Sequence, residues 1–319
     1  MKIAMIGSGA AGSVFASYLR RGGADMTLVD MYKEHMDKIK ADGMTFDIFP
    51  DESYQLTGFK TAYDADDIGI MDVVIFMTKA TQLDAAVQSA KSCIGPDTVA
   101  VSLINGLGND DVLLKYFPAG RIIIGSGVIG TQLKGPGHCM SIPNGDVQMN
   151  FGPIEHTPLS DKIGKYLLEC FNKGGCHAYL RDEIIPFIWK KVIINSTMNT
   201  VCAVLRLPIG AVENDPYGKE LFHRVIREAC AVATAKICPL DVDEFIKNDH
   251  EPVAVSCATY YPSMCQDVFM NRRQTEISVL NGKISEYGKQ LGIPTPTNDL
   301  LTLIISAIQG NYDKQYQEK

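Results

Sequence analysis

The feature that most constrains the fold is a glycine-rich turn between an apolar strand and a helix near the start of the chain. The segment Lys2–Ile6 is apolar enough to form a buried strand, and Gly7-Ser8-Gly9-Ala10-Ala11-Gly12 follows it directly. Glycines at this spacing, placed between a strand and a helix, are typical of a dinucleotide-binding βα unit. The sequence therefore predicts that the first half of the chain is built around such a unit.

Each glycine of this turn has a physical role in the prediction. Gly7 permits the tight turn, Gly9 lets the backbone approach a pyrophosphate, and Gly12 lets the helix pack closely on the strand. Backbone N–H groups at the positive end of the helix would then bind the pyrophosphate. Asp30 ends the second predicted strand, where a carboxylate accepts hydrogen bonds from ribose hydroxyls and repels a 2′-phosphate. Asp30 therefore favours NADH, although the nearby Lys33 could approach a phosphate.

Strands and helices alternate through the first half of the sequence. The strands lack polar alternation, so they are expected to be buried on both faces, in a parallel sheet covered by helices. This pattern predicts an α/β Rossmann fold with a doubly wound parallel sheet, and antiparallel strands at its edge within 135–152. The predicted strands are 2–6, 26–29, 73–78, 98–103 and 121–125, and the predicted helices are 10–21, 33–41 and 82–91.

The strand signal ends near residue 184, and the second half has helical periodicity interrupted by prolines. We expect helices over 185–205, 217–236, 254–261, 276–291 and 298–309. The sequence thus predicts a Rossmann domain over 1–168 and an all-helical substrate-binding domain over 180–319, with the boundary within 155–183.

Two polar residues stand just beyond predicted parallel strands, namely Lys79 and Asn105. Ligands of doubly wound sheets bind outside the carboxyl ends of their strands. Both residues are therefore candidates to contact a cofactor or a substrate, and for each one alone the alternative is an exposed loop residue.

A polar stripe runs along the long helix predicted over 185–205. Lys191, Asn195 and Asn199 are spaced four residues apart, which puts them on one face of a largely apolar helix. Burying these groups is costly without a ligand or polar partners. Two interpretations stay open here: a ligand site, or a stripe that faces solvent or a neighbouring helix. Ser263 and Glu276 lie in a polar connection, and for Glu276 an ordinary surface position is the default.

Composition excludes several classes of function. The 319 residues carry a formal net charge of −7 and no Lys/Arg run, which argues against a nucleic-acid partner. The nine cysteines form no C-x-x-C pair and no metal-type spacing, which predicts reduced thiols and no metal site. No signal-peptide pattern or membrane span is apparent, so we expect a cytoplasmic protein without membrane contact.

Taken together, these motifs resemble the ketopantoate reductase (2-dehydropantoate 2-reductase) family over nearly the whole chain. The resemblance is specific because the motifs occur in the family's order and spacing. They are Gly7 to Gly12, Thr78-Lys79-Ala80-Thr81-Gln82, Asn105-Gly106-Leu107-Gly108, Trp189-Lys190-Lys191 with Asn195 and Asn199, Ser263-Met264-Cys265-Gln266-Asp267, and Thr275-Glu276-Ile277.

The resemblance implies a reaction and a role for each matched residue. The family reduces 2-dehydropantoate to pantoate in pantothenate biosynthesis, usually with NADPH. Lys191 matches the catalytic lysine, which donates a proton to the developing alkoxide. Glu276 matches the glutamate that binds substrate and positions the reacting hydroxyl. Further matches are Asn195, Asn199 and Ser263 on the substrate side, and Lys79 and Asn105 at positions that contact cofactor and substrate.

Two departures from the family pattern leave alternatives open. Asp30-Met31 stands where members that use NADPH carry an arginine, so NADH is favoured and NADPH is the alternative. The interval from Ser263 to Glu276 is also one residue longer. The substrate could be another small 2-oxo acid, and a non-catalytic dinucleotide-binding regulator is a third hypothesis. Dimers occur in the family, which makes a homodimer one expectation.

Overall fold

The computed structural model describes residues 1–143, 146–236 and 239–315 of the chain. It divides into two compact units. The first unit comprises Met1–Asn105 and Asn109–Ile184, and the second comprises Gly106–Gly108 and Ile185–Lys319. Each unit has its own architecture and is described separately.

The first unit contains two sheets. The larger has eight strands in the order β12-β11-β8-β7-β6-β1-β2-β5, and the smaller has four in the order β4-β3-β10-β9. The strands are β1 (Lys2–Ile6), β2 (Asp25–Val29), β3 (Met44–Ile48), β4 (Glu52–Leu56), β5 (Lys60–Ala62), β6 (Met71–Phe76), β7 (Ile94–Ser102), β8 (Ile122–Gly127), β9 (Ile129–Gly135), β10 (His138–Pro143), β11 (Met149–Pro153) and β12 (Ala178–Leu180).

The predicted parallel sheet is confirmed. From β8 through β7, β6, β1 and β2 to β5, every neighbouring pair of strands is parallel. Its inner strands β1 and β6 are buried on both faces, as their continuous apolar sequences require. The helices of this unit are α1 (Ala10–Arg21), α2 (Lys33–Asp42), α3 (Leu83–Ser89), α4 (Asn109–Leu113) and α5 (Pro158–Lys173).

The prediction for 135–152 was wrong in part. Of the strands in this region, β11 pairs antiparallel with β8 as predicted, and it lies next to the edge strand β12 of the large sheet. In contrast, β9 and β10 form a hairpin in the small sheet, where β10 pairs in parallel with β3. The segment that forms β3 lies far away in the sequence, so local pattern did not indicate this pairing.

The small sheet packs on α1. Tyr18 of this helix is fully buried, its hydroxyl lies 2.7 Å from the Ser141 hydroxyl on β10, and its ring meets Phe46 of β3 edge-on at 4.9 Å. On the side of the large sheet, Phe15 contacts Phe171 of α5. Since α1 is buried on both sides, the turn that precedes it is held in a fixed place.

The regular secondary structure in the described part of the second unit is entirely helical, as predicted. The helices are α6 (Ile184–Leu205), α7 (Ile209–Asn214), α8 (Pro216–Lys236), α9 (Val242–Phe245), α10 (Glu251–Ser256), α11 (Ser263–Cys265), α12 (Asn281–Leu291) and α13 (Pro296–Gln309). Two segments have π-helical hydrogen bonding: Ile246–His250 joins α9 to α10, and Gln266–Asn271 continues α11.

Two predicted helix boundaries need correction. The helix expected from residue 276 begins at Asn281, because Leu280 has non-helical backbone angles (φ −104°, ψ −107°) that separate α12 from the 3₁₀ turn Ile277–Val279. The helix expected over 254–261 is α10, which ends at Ser256. No described helix is long and apolar enough to cross a membrane. The eight cysteines in the described ranges are free thiols, and seven are buried.

Candidate active site

The glycine turn adopts the geometry that its sequence predicts. Gly7 has φ +92°, and its N–H donates to the carbonyl of Val29 at 3.0 Å. A Cβ at Gly12 would lie 2.0 Å from the Gly7 carbonyl oxygen, so this helix start requires glycine. A Cβ at Gly9, in contrast, would have no neighbour within 4 Å. The fold itself therefore requires Gly7 and Gly12, while Gly9 leaves open space beside the turn.

Asp30 is bound to this turn. One carboxylate oxygen accepts the Ser8 N–H at 2.6 Å, and the other accepts the Tyr32 N–H at 2.9 Å. Two backbone donors fix the direction of a carboxylate. Each oxygen has a second lone pair to offer to another donor. Lys33, which could have approached a phosphate, has its ammonium 5.5 Å from the centre of the Tyr63 ring.

Two observations show that the turn fits a dinucleotide pyrophosphate. Helix α1 has Gly9 as its N-cap, with no side-chain cap and no acidic residue in its first turn. The Ser8 hydroxyl is buried and has no hydrogen-bond partner among the described residues. A helix start with no acidic residue in its first turn, beside an unsatisfied buried hydroxyl, suits a bound anion.

Lys79 and Asn105 lie at the same edge of the large sheet as the glycine turn. They follow β6 and β7, which run parallel to β1 and β2 in the order β7-β6-β1-β2. Lys79 is exposed, and its carbonyl accepts the Gln82 N–H. Asn105 is half-buried, and its side-chain oxygen accepts the Ser126 hydroxyl at 2.9 Å. The structure thus brings together all the cofactor candidates of the first unit.

The predicted polar stripe lies on α6 in the second unit. Lys191, Asn195 and Asn199 are half-buried, while Val192 and Ile193 between them belong to the core. Asn199 donates to the Ser263 hydroxyl at 3.3 Å. The structure therefore brings Ser263, from the connection after α10, to the stripe on α6.

Lys191 and Glu276 interact electrostatically across the same unit. Burial of the Lys191 ammonium lowers its pKa from an ordinary value near 10.5 to about 8, and the negative charge of Glu276 opposes this decrease. Glu276 is itself exposed at the start of the 3₁₀ turn. Nothing in the local sequence distinguishes this glutamate from a surface residue. Its effect on the pKa of Lys191 does distinguish it.

The interval between Ser263 and Glu276, which the family resemblance predicts to be one residue longer, contains the π-helical segment Gln266–Asn271. In a π-helix each hydrogen bond spans five residues, one more than in an α-helix. Such a turn accommodates an additional residue without unfolding the helix. The segment ends at Arg272, which has a left-handed backbone (φ 48°).

A buried hydrogen-bond network, which the sequence analysis did not predict, connects α6 to the helices that pack against it. Asn281 donates to the Ser196 carbonyl and accepts the Thr200 hydroxyl, both on α6, at 3.0 and 2.7 Å. It also donates to the Asn298 side chain, which in turn donates to Glu228 of α8. Asn281 and Asn298 are completely buried. The polar spacing of Ser196 and Thr200 on an apolar helix was the available signal.

Among the described residues, no group of three or more His, Cys, Asp or Glu side chains could hold a metal ion. His250, the most buried histidine of the second unit, pairs with Glu213 at 3.0 Å. Its environment is a structural ion-pair cluster that includes Lys219.

Comparison with known proteins assigns the family. Residues 3–156 match the family model described as Ketopantoate reductase PanE/ApbA, and residues 183–309 match the one described as Ketopantoate reductase PanE/ApbA C terminal. A 2-dehydropantoate 2-reductase of Streptococcus pyogenes is 31% identical over 96% of this chain and 97% of its own length. The Lactococcus lactis protein of the same name is 30% identical, with the same coverage. The chain belongs to the ketopantoate reductase family.

Solved structures give the same fold. A PanE/ApbA family ketopantoate reductase from Ralstonia eutropha superimposes with a TM-score of 0.81 at 25% identity, covering 98% of this chain and all of that one. A D-mandelate dehydrogenase, solved with NADH and anilino(oxo)acetate, has a TM-score of 0.83 at 28% identity, covering 99% of this chain and all of that one.

Proposed function

We propose that the protein reduces 2-dehydropantoate to pantoate, a step of pantothenate biosynthesis, with a reduced nicotinamide dinucleotide as cofactor. Its membership of the ketopantoate reductase family supports this activity. The observation that carries the mechanism is the ammonium of Lys191, which has a pKa of about 8 and lies on the same helix face as Asn195 and Asn199.

Lys191 is the proton donor in this proposal. With a pKa of about 8, the amine holds its proton in roughly nine of ten molecules at neutral pH. It is nevertheless a stronger acid than an ordinary lysine, which suits transfer of the proton to an oxygen that gains negative charge. The ammonium also stabilises that charge before the proton moves. Glu276 raises the pKa of Lys191 and so keeps the acid form populated.

The remaining polar groups of the second unit bind the substrate. Asn195 and Asn199 present amides, which suit the carbonyl and hydroxyl oxygens of 2-dehydropantoate. Ser263, beside Asn199, offers a hydroxyl to the substrate carboxylate. Glu276 is an acceptor for a substrate hydroxyl. We assign these roles from residue chemistry together with the match to the family motifs.

The first unit holds the cofactor, whose reduced nicotinamide supplies a hydride when bound. We assign the pyrophosphate to the turn Gly7-Ser8-Gly9-Ala10-Ala11-Gly12, and the adenosine ribose to Asp30. Lys79 and Asn105, at the same sheet edge, are assigned to the remainder of the cofactor, and Asn105 also to the substrate.

NADH is the preferred cofactor in this proposal. The carboxylate of Asp30 is fixed by two backbone N–H donors and keeps lone pairs that can accept from the ribose hydroxyls. A 2′-phosphate at the same place would be repelled. The D-mandelate dehydrogenase structures, which are similar to this chain, also contain NADH.

The test is to follow oxidation of NADH and of NADPH with 2-dehydropantoate, using wild type and Lys191→Ala. Turnover that is faster with NADH and at least about 100-fold slower in the variant is expected, as loss of a general acid typically gives. Lys190→Ala is the matched control, because Lys190 is adjacent and pairs with Asp249. A Lys191→Ala variant as active as wild type would exclude the assigned mechanism.

A second candidate is reduction of another 2-oxo acid. The similarity to a D-mandelate dehydrogenase favours including it, since that protein is named for a different 2-hydroxy acid. Phenylglyoxylate, 2-oxoisovalerate and pyruvate should be assayed beside 2-dehydropantoate. Faster turnover of any of them would change the substrate assignment and leave the roles of Lys191 and Glu276 intact. Cofactor binding without turnover of any 2-oxo acid would support the regulator hypothesis.

A further inference from the structure

Behind the glycine turn lies a histidine that the mechanism above does not use. His35 is on the first turn of α2 and is completely buried. Its Nδ1 is 2.9 Å from the N–H of Gly137, in the turn between β9 and β10, and its Nε2 is 3.1 Å from the Ser13 hydroxyl on α1. The imidazole therefore bridges two elements that flank the turn.

These contacts define the protonation state of the ring. A backbone N–H can only donate, so Nδ1 must accept from Gly137. The proton of the neutral ring is then on Nε2, which donates to the Ser13 hydroxyl. The Ser13 hydroxyl in turn donates to the Ser8 carbonyl at 2.7 Å. A directional chain of hydrogen bonds thus runs from Gly137 through His35 and Ser13 to Ser8.

Hydrogen bonds consequently fix both the N–H and the carbonyl of Ser8. Asp30 accepts its N–H, and Ser13 donates to its carbonyl. The C=O and N–H of a trans peptide point in opposite directions. With the Ser8 carbonyl directed at the Ser13 hydroxyl, the N–H of Gly9 points the other way, away from Ser13.

We propose that neutral His35 is a positioning residue of the dinucleotide site, which orients the Ser8–Gly9 peptide through Ser13 so that the Gly9 N–H faces the pyrophosphate. This inference rests on the cofactor site of the proposed function. It predicts that cofactor affinity decreases when His35 is protonated, because a second N–H, on Nδ1, would then oppose the N–H of Gly137.

The surroundings of His35 favour the neutral ring. Burial lowers its pKa below the ordinary value of 6.5. The charge of Asp30, just after β2, and a hydrogen bond with the Ser8 backbone both oppose this decrease. Tyr32 stacks on the ring at 5.8 Å between centroids. From α1 and the β9–β10 turn, the ring meets the uncharged Ser13 hydroxyl and Gly137 N–H. The neutral state therefore prevails at neutral pH, and the orienting chain is intact there.

The experiment measures binding of ADP-ribose, which carries the pyrophosphate and adenosine ribose and avoids the acid lability of NADH, by calorimetry between about pH 7.5 and about pH 5.5. The variants are His35→Leu, which removes both hydrogen bonds, and His35→Gln, whose amide can accept from Gly137 and donate to Ser13. His138→Gln is the matched control, because His138 pairs with Asp47 on the small sheet.

We expect His35→Leu to weaken binding roughly tenfold, the equivalent of about one buried hydrogen bond. His35→Gln should bind like wild type at neutral pH but lose the decrease in affinity that wild type and His138→Gln show in acid. Equal affinity of His35→Leu and wild type, or an unchanged acid decrease in His35→Gln, would overturn the inference. Absence of any ADP-ribose binding by wild type would instead overturn the proposed cofactor site.

A measurement on the wild-type protein covers the case in which a variant does not fold. Because linkage is reciprocal, a ligand that prefers neutral His35 must lower the pKa of this histidine when it binds. NMR titration of the imidazole with and without ADP-ribose reports that change directly. An imidazole whose pKa does not move with ligand would refute the positioning role.

Discussion

Replacing Lys191 with methionine should stabilise the protein while removing its activity. In the unfolded chain this amine titrates near 10.5, and in the folded chain at about 8. Below pH 8 both states hold the proton, and the folded state bears the whole cost of burying the charge. This pKa difference of about 2.5 between the two states corresponds to about 3 kcal/mol of unfolding free energy. Methionine is similar in size and carries no charge, so most of this cost should disappear.

The direction in which stability changes with pH distinguishes removal of a buried charge from improved packing by methionine. Between pH 8 and 10.5 the unfolded wild type keeps the proton that the folded wild type has released. The stability of the wild type relative to the variant should therefore rise with pH, by about 2 kcal/mol from pH 8 to about 9.5. Other groups titrate equally in both proteins and cancel in the difference.

Urea unfolding followed by fluorescence of Trp189 is the suitable assay. Trp189 is the single tryptophan of the chain, lies on α6 and is 3% exposed, so it reports the second unit. Lys190→Met is the control and should give no gain, because the Lys190 ammonium is paired with Asp249 at 2.8 Å. A Lys191→Met variant no more stable than wild type at pH 7, or a gain that persists unchanged at higher pH, would refute the reasoning.

Two further predictions concern the pair Lys191 and Glu276 and the glycine turn. Glu276→Gln removes the charge that raises the pKa of Lys191, so the alkaline limit of turnover should move to lower pH, as measured from pH–rate profiles. An unchanged limit would show that Glu276 does not have this role. Gly9→Ala should leave thermal stability near wild type and weaken NADH binding in a fluorescence titration, whereas Gly12→Ala should lower stability, because its Cβ would lie 2.0 Å from the Gly7 oxygen. A Gly9→Ala variant that loses stability, or a Gly12→Ala variant as stable as wild type, would contradict the roles assigned to these two glycines.

The sequence was sufficient for the parts of the fold that have local signals. Continuous apolar strands and the glycine turn predicted the parallel sheet, and proline-punctuated helical periodicity predicted the helical second unit. The small sheet was missed, although Met44, Phe46 and Ile48 alternate with half-buried residues along β3. Its pairing of β3 with β10 joins distant parts of the chain, and no local pattern encodes such a contact.

The candidate site was predictable to a similar extent. The spacing of Lys191, Asn195 and Asn199 indicated one helix face, which the structure shows. The interaction of Glu276 with Lys191, and the position of Ser263 beside Asn199, depend on tertiary packing. For these two residues the motifs of the family, and not periodicity, indicated the positions.

The network behind α6 has a consequence for how this sequence can vary. Asn281, Asn298 and Glu228 satisfy one another's hydrogen bonds on three different helices, and two of the three side chains are inaccessible to solvent. Loss of any one member strands a buried polar group on another, so single substitutions are costly and compensated sets are tolerated. These positions should therefore be strongly epistatic: the effect of a change at Glu228 on the face that carries Lys191 will depend on which residues occupy 281 and 298.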